Sequence, residues 1–475
     1  MLSYTVKPQD NALYFSCSDG REQLIDNWSD ALTFCLVPCD MAVVYNIDEF
    51  VSIFSKLLPK DLIKKLSDGG RIILPDSTRL FYEPSRMFAI TYANEVNFFG
   101  LNRYSESSIE TTRELLELGQ RVLRAFEIFG ITPAKLSSPV AVYSEHLSEL
   151  DYPRACDLPD DAINMINLAS EHMTEEWREV FKIGHWNADE VSDIDLCSSY
   201  PSLIAKLPDI SDAQFFESNT MPDKYSYGIL LGDVEVTRNV SPFQDENGIH
   251  FKGIKKDHVI TTDGLWLINK YGGNFTLKHG LFMNIPQPYI YPFKETMEHL
   301  YSMRNYPDPL VSSIAKQIAV GIYGMLAQRY PKDTGWKLGV NFNSIYARMV
   351  TDRCSLRVAD LIYRHELDDK VINVTVDGLL TEGQLNITTE KNFGQWRLNE
   401  RTPALVMSQL YAWHNDKHPN GKYYAEMVEL IKNKPQSSII ANVDLNLLEY
   451  TRIFPKICHA NNLLTKKFNS RPITV

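Results

Sequence analysis

The stretch DIDLCSSYPS, residues 193–202, decides the reading of this chain. The residues leading into it, VSDIDL, alternate in the manner of a strand, and Asp195 falls at its end. The chain then turns through Ser198, Ser199, Tyr200 and Pro201. A carboxylate at a strand end, followed by a turn with free backbone N–H groups, suits a metal-bound phosphate: the carboxylate holds Mg²⁺ and the turn holds phosphate oxygens. Taken alone, an Asp there is ordinarily a cap or a turn residue.

Two further segments carry the same kind of chemistry. Lys316 and Tyr323 lie seven residues apart on an apolar helical run, nearly two turns, so they share a face, with Gly324 next in sequence. A cation for phosphate and an aromatic ring for a base or sugar then point the same way. Arg304 precedes Lys316 by twelve residues. The third segment is the apolar run VINVTVDGLL (371–380), which carries Asp377 at its end or in a turn. Singly, each has an ordinary structural reading, as solvated surface, core edge or turn. In this order they are specific.

The three segments resemble motifs A, B and C of the family B DNA polymerases, most closely the protein-primed branch of small phages and linear plasmids. Motif A, D-x-x-S-L-Y-P-S, is matched by 195–202 with Ser199 in place of Leu. Motif B, K-x-x-x-N-S-x-Y-G, is matched by Lys316, Tyr323 and Gly324, with Val320 and Gly321 replacing Asn and Ser. Of motif C, Y-x-D-T-D-S, the second Asp remains as Asp377; Thr375 stands at the first Asp and Gly378 at the Ser. The likeness covers roughly residues 180–430.

The resemblance implies an α+β right-hand polymerase (palm, fingers, thumb) behind an N-terminal α/β exonuclease-like domain. It implies two divalent ions, Mg²⁺ or Mn²⁺, held by Asp195 and Asp377 on adjacent strands, about 3.5–4 Å apart as in-line nucleotidyl transfer requires. Ser198, Ser199, Tyr200, Arg304, Lys316 and Tyr323 would bind the incoming nucleotide, the two cations neutralising triphosphate charge and Tyr200 lying under the sugar. Gly324, Tyr411 and Lys422 would contact primer and template. Tyr411 falls where the K-x-Y primer motif is expected, with Gln409 in place of Lys, and Lys422-Tyr-Tyr424 is a later candidate. Partners would be primed DNA and deoxynucleotides, with a terminal protein or processivity factor as candidates. The expected activity is templated DNA synthesis. A specialised nucleotidyltransferase on the same palm (primer-making, terminal-transferase or RNA-synthesising) and a degenerate polymerase scaffold are the alternatives.

The departures also carry expectations. Residues 1–190 contain no D-x-E and neither of the other two proofreading patterns, so the N-terminal domain is expected to lack 3′→5′ exonuclease activity. An insertion falls around 240–290, between motifs A and B, whereas only about 20 residues, 325–344, separate motif B from the next palm helix. Gly394-Gln-Trp396 resembles the family's G-x-W strand. His414 and His418 could pair on a metal only on a helix, which Pro419 and the Asn420-Gly421 hairpin signal oppose.

Outward from these segments, the chain of 475 residues has 44% hydrophobic and 23% charged residues, an ordinary globular composition. Net charge is −12, which argues against a generally basic nucleic-acid binder. The acid is local: 141–200 holds 14 Asp/Glu against 3 Lys/Arg, while 401–475 holds 10 Lys/Arg against 5 Asp/Glu. Seven scattered cysteines suit a reducing compartment, and Cys35 and Cys39 read as buried small residues. No signal peptide or apolar run of membrane-spanning length is evident, so a cytoplasmic location is expected. The first 100 residues alternate strands with a helix at 48–58. Helices are expected from a Ser107/Glu110 capping box to Gly130, at 161–182, at 292–304, at 310–329 and at 344–367. The expected division is 1–180 N-terminal domain, 181–290 and 336–425 palm, 291–335 fingers and 426–475 thumb.

Overall fold

The computed structural model describes residues 3–413, apart from short breaks of which 31–40 is the longest, and the pair 469–470. The expectations for Cys35, Cys39, Ser107, Glu110, Gln409, His414, His418, Lys422 and most of 426–475 lie outside the described residues. The chain forms two compact units. One is Met1–Asp151 with His299–Ile322, the other Tyr152–Glu298 with Tyr323–Val475.

The first unit is built on an eight-stranded mixed sheet. Its strands are β1 (Ser3–Gln9), β2 (Ala12–Cys17), β3 (Glu22–Ile25), β4 (Met41–Val44), β5 (Gly70–Ile73), β6 (Arg79–Glu83), β7 (Met87–Thr91) and β8 (Glu95–Gly100). The order is β3-β2-β1-β4-β8-β7-β6-β5, with β4 parallel to β1 and β8. Helix α1 (Ile47–Phe54) starts where the Asn46 side chain accepts from the N–H groups of Asp48 and Glu49. It lays its apolar face on the sheet: Phe50 stacks on Phe98 with ring centroids 4.9 Å apart, and Phe54 meets Phe88 at 4.9 Å. Each such ring, removed from water, stabilises by roughly 2–3 kcal/mol. Helix α2 (Thr112–Ile128) opens on a capping box made by Thr111 and Glu114, four residues later than expected. It ends at Gly130, whose φ of 74° few other residues adopt readily. Helix α3 (Pro139–Leu147) follows.

The second unit begins with α4 (Ile163–Glu171), which stops at His172 rather than running to 182. The chain there becomes strand β9 (Arg178–Val180), which bonds across a sheet. A five-stranded antiparallel sheet has the order β20-β11-β19-β18-β9, with β11 Val191–Leu196, β18 Val371–Thr375, β19 Gly378–Glu382 and β20 Trp396–Leu398. The run 371–380 is thus a hairpin and not one strand, because Val376 and Asp377 turn the chain between β18 and β19. Strand β10 (Lys182–Trp186) joins another sheet, between β21 (Ala404–Ser408) and β23 (Asn469–Ser470), with β22 (Tyr411–Trp413) at its edge. Helix α5 (Ser199–Ile204) follows β11. Residues 214–284, which overlap the insertion expected around 240–290 but begin before it, fold as a four-stranded sheet, β12 (Gln214–Ser218), β13 (Tyr227–Val236), β14 (Gly253–Thr261) and β15 (Asn274–Asn284), with α6 (Thr262–Lys270) packed on it.

Helices α7 (Lys294–Met303) and α8 (Pro309–Leu326) come next. Among the described residues α8 is the one helix long and apolar enough to cross a bilayer, although Lys316 interrupts it and half of it is buried. The burial is one-sided: Ile314, Ala315, Ile318, Ala319 and Ile322 are inside while Lys316 and Val320 are exposed. Gly321 has a packing reason. A Cβ there would lie 2.4 Å from a methyl of Val140 on α3, so only glycine allows this approach. The 325–344 segment holds a short hairpin, β16 (Arg329–Lys332) and β17 (Gly335–Leu338). Helix α9 (Ser344–Arg364), capped by Asn343, supplies Leu356, Val358, Ala359 and Ile362 to one core with Ile194, Val374 and Leu379 of the five-stranded sheet. That core fixes the strands carrying Asp195 and the Asp377 turn.

Candidate functional site

The register of the five-stranded sheet brings the two carboxylates together. Asp195 on β11 lies opposite Gly378 of β19 on one side and Arg397 of β20 on the other. Asp377 immediately precedes Gly378, in the two-residue turn that Thr375 and Gly378 close. The Leu196 N–H donates to the Asp377 carbonyl (3.2 Å), and the Val376 N–H to the Trp177 carbonyl (2.7 Å). Two backbone positions here are strained. Val376, a β-branched residue, has a φ of 61°, and Ser198, in the turn after Asp195, has a φ of 53°. Such conformations cost about 1–3 kcal/mol each and concentrate at functional sites. The turn is also tight: a Cβ at Gly378 would meet Thr375 Oγ1 at 2.8 Å.

Electrostatics at the pair favour a cation. Burial raises the Asp195 pKa, which Arg397 opposes through an ion pair. Asp377 is pushed up to about 7, first by burial, then by the charge of Asp195, with Glu176 adding to it. Two hard oxygen donors whose repulsion Arg397 relieves only in part suit a divalent ion. Among the described residues no cluster of three or more His, Cys, Asp or Glu side chains offers a full ligand cage. The two carboxylates would suit an ion of the Mg²⁺ type, which ordinarily takes one or two carboxylates and keeps water in other positions.

Around the pair, α5 presents Ser199 and Tyr200. Ser199 Oγ lies 3.2 Å from Cys354 Sγ of α9, and that thiol lies 3.7 Å from the Val376 carbonyl. Burial keeps the thiol protonated well above the usual range. The buried Tyr200 ring meets Tyr323 edge-on at 4.6 Å, and its hydroxyl donates to Glu176 Oε1 at 3.3 Å. Burial raises the hydroxyl pKa of both tyrosines, Tyr323 to about 12. Gly394 (φ 72°) donates to the Cys197 carbonyl at 2.8 Å, and a Cβ there would strike Ser202 Cβ at 2.8 Å.

The remaining predicted residues are placed as follows. Ser198 caps α5 in left-handed conformation. Gly324 is exposed in the last turn of α8, with open space where a Cβ would be. Tyr411 begins β22, in the sheet that holds β10. Arg304 and Lys316 belong to the first unit: the Arg304 carbonyl accepts from Ser312 Oγ at 2.6 Å, and Lys316 is exposed on α8. Three residues escaped the sequence reading. Arg397 directly follows the Trp of G-x-W on β20, and only the register of that strand places it opposite Asp195. Glu176 was hidden in the acidic run 171–179. Nothing in the sequence marks Cys354.

No protein-family model matches the chain, and no curated protein matches it by sequence. Solved structures do resemble it. Phi29 DNA polymerase complexed with primer-template DNA and incoming nucleotide substrates superposes with a TM-score of 0.57 at 12% identity, over 85% of this chain and 85% of that chain. The same polymerase in a post-translocation binary complex with primer-template DNA gives 0.56 at 12% identity, over 85% and 84%. In its orthorhombic crystal form it gives 0.56 at 12% identity, over 85% of each. The chain thus has a mixed α/β fold of the DNA polymerase kind.

Proposed function

We propose that the protein is a template-directed DNA polymerase that adds deoxynucleotides to a primer 3′-hydroxyl without proofreading. The observation that carries this reading is the pairing of Asp195 with the Asp377 turn on adjacent antiparallel strands, within a fold like that of Phi29 DNA polymerase. On this reading the five-stranded sheet is the palm, and α7 and α8 belong to the fingers. Mg²⁺ or Mn²⁺, when bound, lowers the pKa of the attacking hydroxyl and stabilises the leaving oxygen. Asp195 and Asp377 would hold the ions. Lys316 and Arg304 are the cations that the motif resemblance assigns to the triphosphate. Tyr200 and Tyr323 form an aromatic floor for sugar and base. The motif spacing is that of the protein-primed family B branch, and a terminal protein would be a natural partner of such an enzyme.

The test is primer extension on a primed DNA template with purified protein, Mg²⁺ or Mn²⁺, and either dNTPs or NTPs, with Asp195→Asn as control. Templated extension with dNTPs, lost in the control, supports the reading. Incorporation that survives Asp195→Asn would overturn the metal assignment. Untemplated addition would favour a terminal transferase, and degradation of single strands would contradict the absence of proofreading.

A further inference from the structure

We propose that Glu176 is a positioning residue that sets the sugar selectivity of this site by holding the Tyr200 ring; the proposal rests on the polymerase reading above. Both oxygens of Glu176 are engaged. Oε1 accepts from the Tyr200 hydroxyl at 3.3 Å, and Oε2 accepts from Arg178 Nη2 at 2.5 Å. Arg178 begins β9 and lies opposite Thr375 in the five-stranded sheet. The residue between them, Trp177, is fully buried, donates its indole N–H to Glu179 at 3.1 Å, and accepts the Val376 N–H at its carbonyl. The three residues 176–178 therefore grip two things at once: the turn that carries Asp377, through backbone, and the ring of Tyr200, through a side chain.

A ring under the sugar excludes a 2′-hydroxyl only if it cannot swing aside. Tyr200 has two restraints, the edge contact with Tyr323 and the hydrogen bond to Glu176. The ring contact holds the face of Tyr200, and the hydroxyl bond to Glu176, whose other oxygen meets Arg178, holds its outer end. At 3.3 Å the bond is long, so it acts by directing the ring, a role that any acceptor at this position can fill. Glu176 touches no reacting atom on this account; its charge also reaches Asp377, an effect common to dNTP and NTP, so the ratio between the two is what reports on Tyr200.

The experiment measures single-nucleotide incorporation of a dNTP and the matching NTP by the full chain on a primed DNA template, as kcat and KM for each. The variants are Glu176→Ala, Glu176→Gln, Tyr200→Phe and the double variant Glu176→Ala/Tyr200→Phe. Glu176→Ala is expected to lower dNTP-over-NTP discrimination by about tenfold, chiefly through a lower KM for the NTP. Glu176→Gln, whose amide oxygen still accepts, should restore discrimination to within about twofold of wild type. Tyr200→Phe should match Glu176→Ala, and the double variant should add nothing further, because both remove one hydrogen bond. Equal loss for dNTP and NTP, or additive effects in the double variant, would overturn the proposal and leave Glu176 a structural residue. Unchanged discrimination in a wild-type-like Glu176→Ala would overturn it as well. Wild-type protein that incorporates neither nucleotide would remove the polymerase reading and this proposal with it.

Discussion

Replacing Asp377 with asparagine should stabilise the metal-free protein at neutral pH while abolishing the proposed nucleotide incorporation. In the folded protein the carboxyl is pushed from 3.8 to about 7 by burial and by the Asp195 charge. Below pH 4 the group is protonated whether the chain is folded or not, and it contributes no penalty. As pH rises from about 4 to about 7 the unfolded chain gives up the proton while the folded one retains it, so stability falls; above 7 the loss is complete and constant. The gap between 3.8 and about 7, at about 1.36 kcal/mol per pH unit, sets a ceiling of about 4 kcal/mol. The amide introduced by Asp377→Asn is neutral throughout and also frees Asp195 from repulsion. Urea unfolding in chelator should therefore give similar stabilities for variant and wild type at about pH 4, and a variant more stable by about 2–4 kcal/mol at about pH 8. Added Mn²⁺ should raise wild-type stability at the higher pH and leave the variant almost unmoved. A difference that does not change between the two pH values, or a variant less stable at the higher one, would refute the account of a buried, repelled carboxylate pair.

Other perturbations test other contacts. Arg397→Gln removes the cation paired with Asp195, and Mn²⁺ should then bind at least about tenfold more tightly to DNA-free protein, read by calorimetric titration. Gly394→Ala should cost about 2–3 kcal/mol in urea unfolding, since alanine must adopt a φ of 72° with its Cβ 2.8 Å from that of Ser202. Gly321→Ala should cost about 1–3 kcal/mol in the first unit, and adding Val140→Ala should recover most of it by clearing the 2.4 Å clash; no recovery would mean that α3 and α8 do not pack there.

The carboxylates were legible in sequence because each ends an apolar run whose periodicity marks a strand, and the family-like order gave them a common purpose. Their neighbours were less so. Arg397 becomes meaningful only when the register of β11 against β20 is known, and no local pattern encodes the pairing of residues 202 positions apart. Glu176 lies in a stretch read as helix, because Ile163, Ile166 and Met173 among acids imitate a helical face past the true end at Glu171. The hairpin at 376–377 was hidden because Val-Asp is poor turn chemistry: its positive φ at Val376 is imposed by β18 and β19 rather than invited by the residue. Gly321 reads as an erosion of motif B in sequence, whereas in the fold it is a packing requirement against Val140.

The chain passes between its two units three times, after Asp151, Glu298 and Ile322. Residues 299–322 are thus a loop of sequence lent to the first unit from the middle of the second. A truncation beginning at Tyr152 would leave this piece behind without Val140 of α3 or Arg121 of α2, whose guanidinium bonds Asp308 at 3.1 Å. Its buried Ile314, Ile318 and Ile322 would then face water, and such a fragment should aggregate. Dissection of this protein by cutting the N-terminal portion away is therefore the wrong design. A circular permutant, or a replacement of 299–322 by a short polar connection, respects the way the polypeptide is threaded.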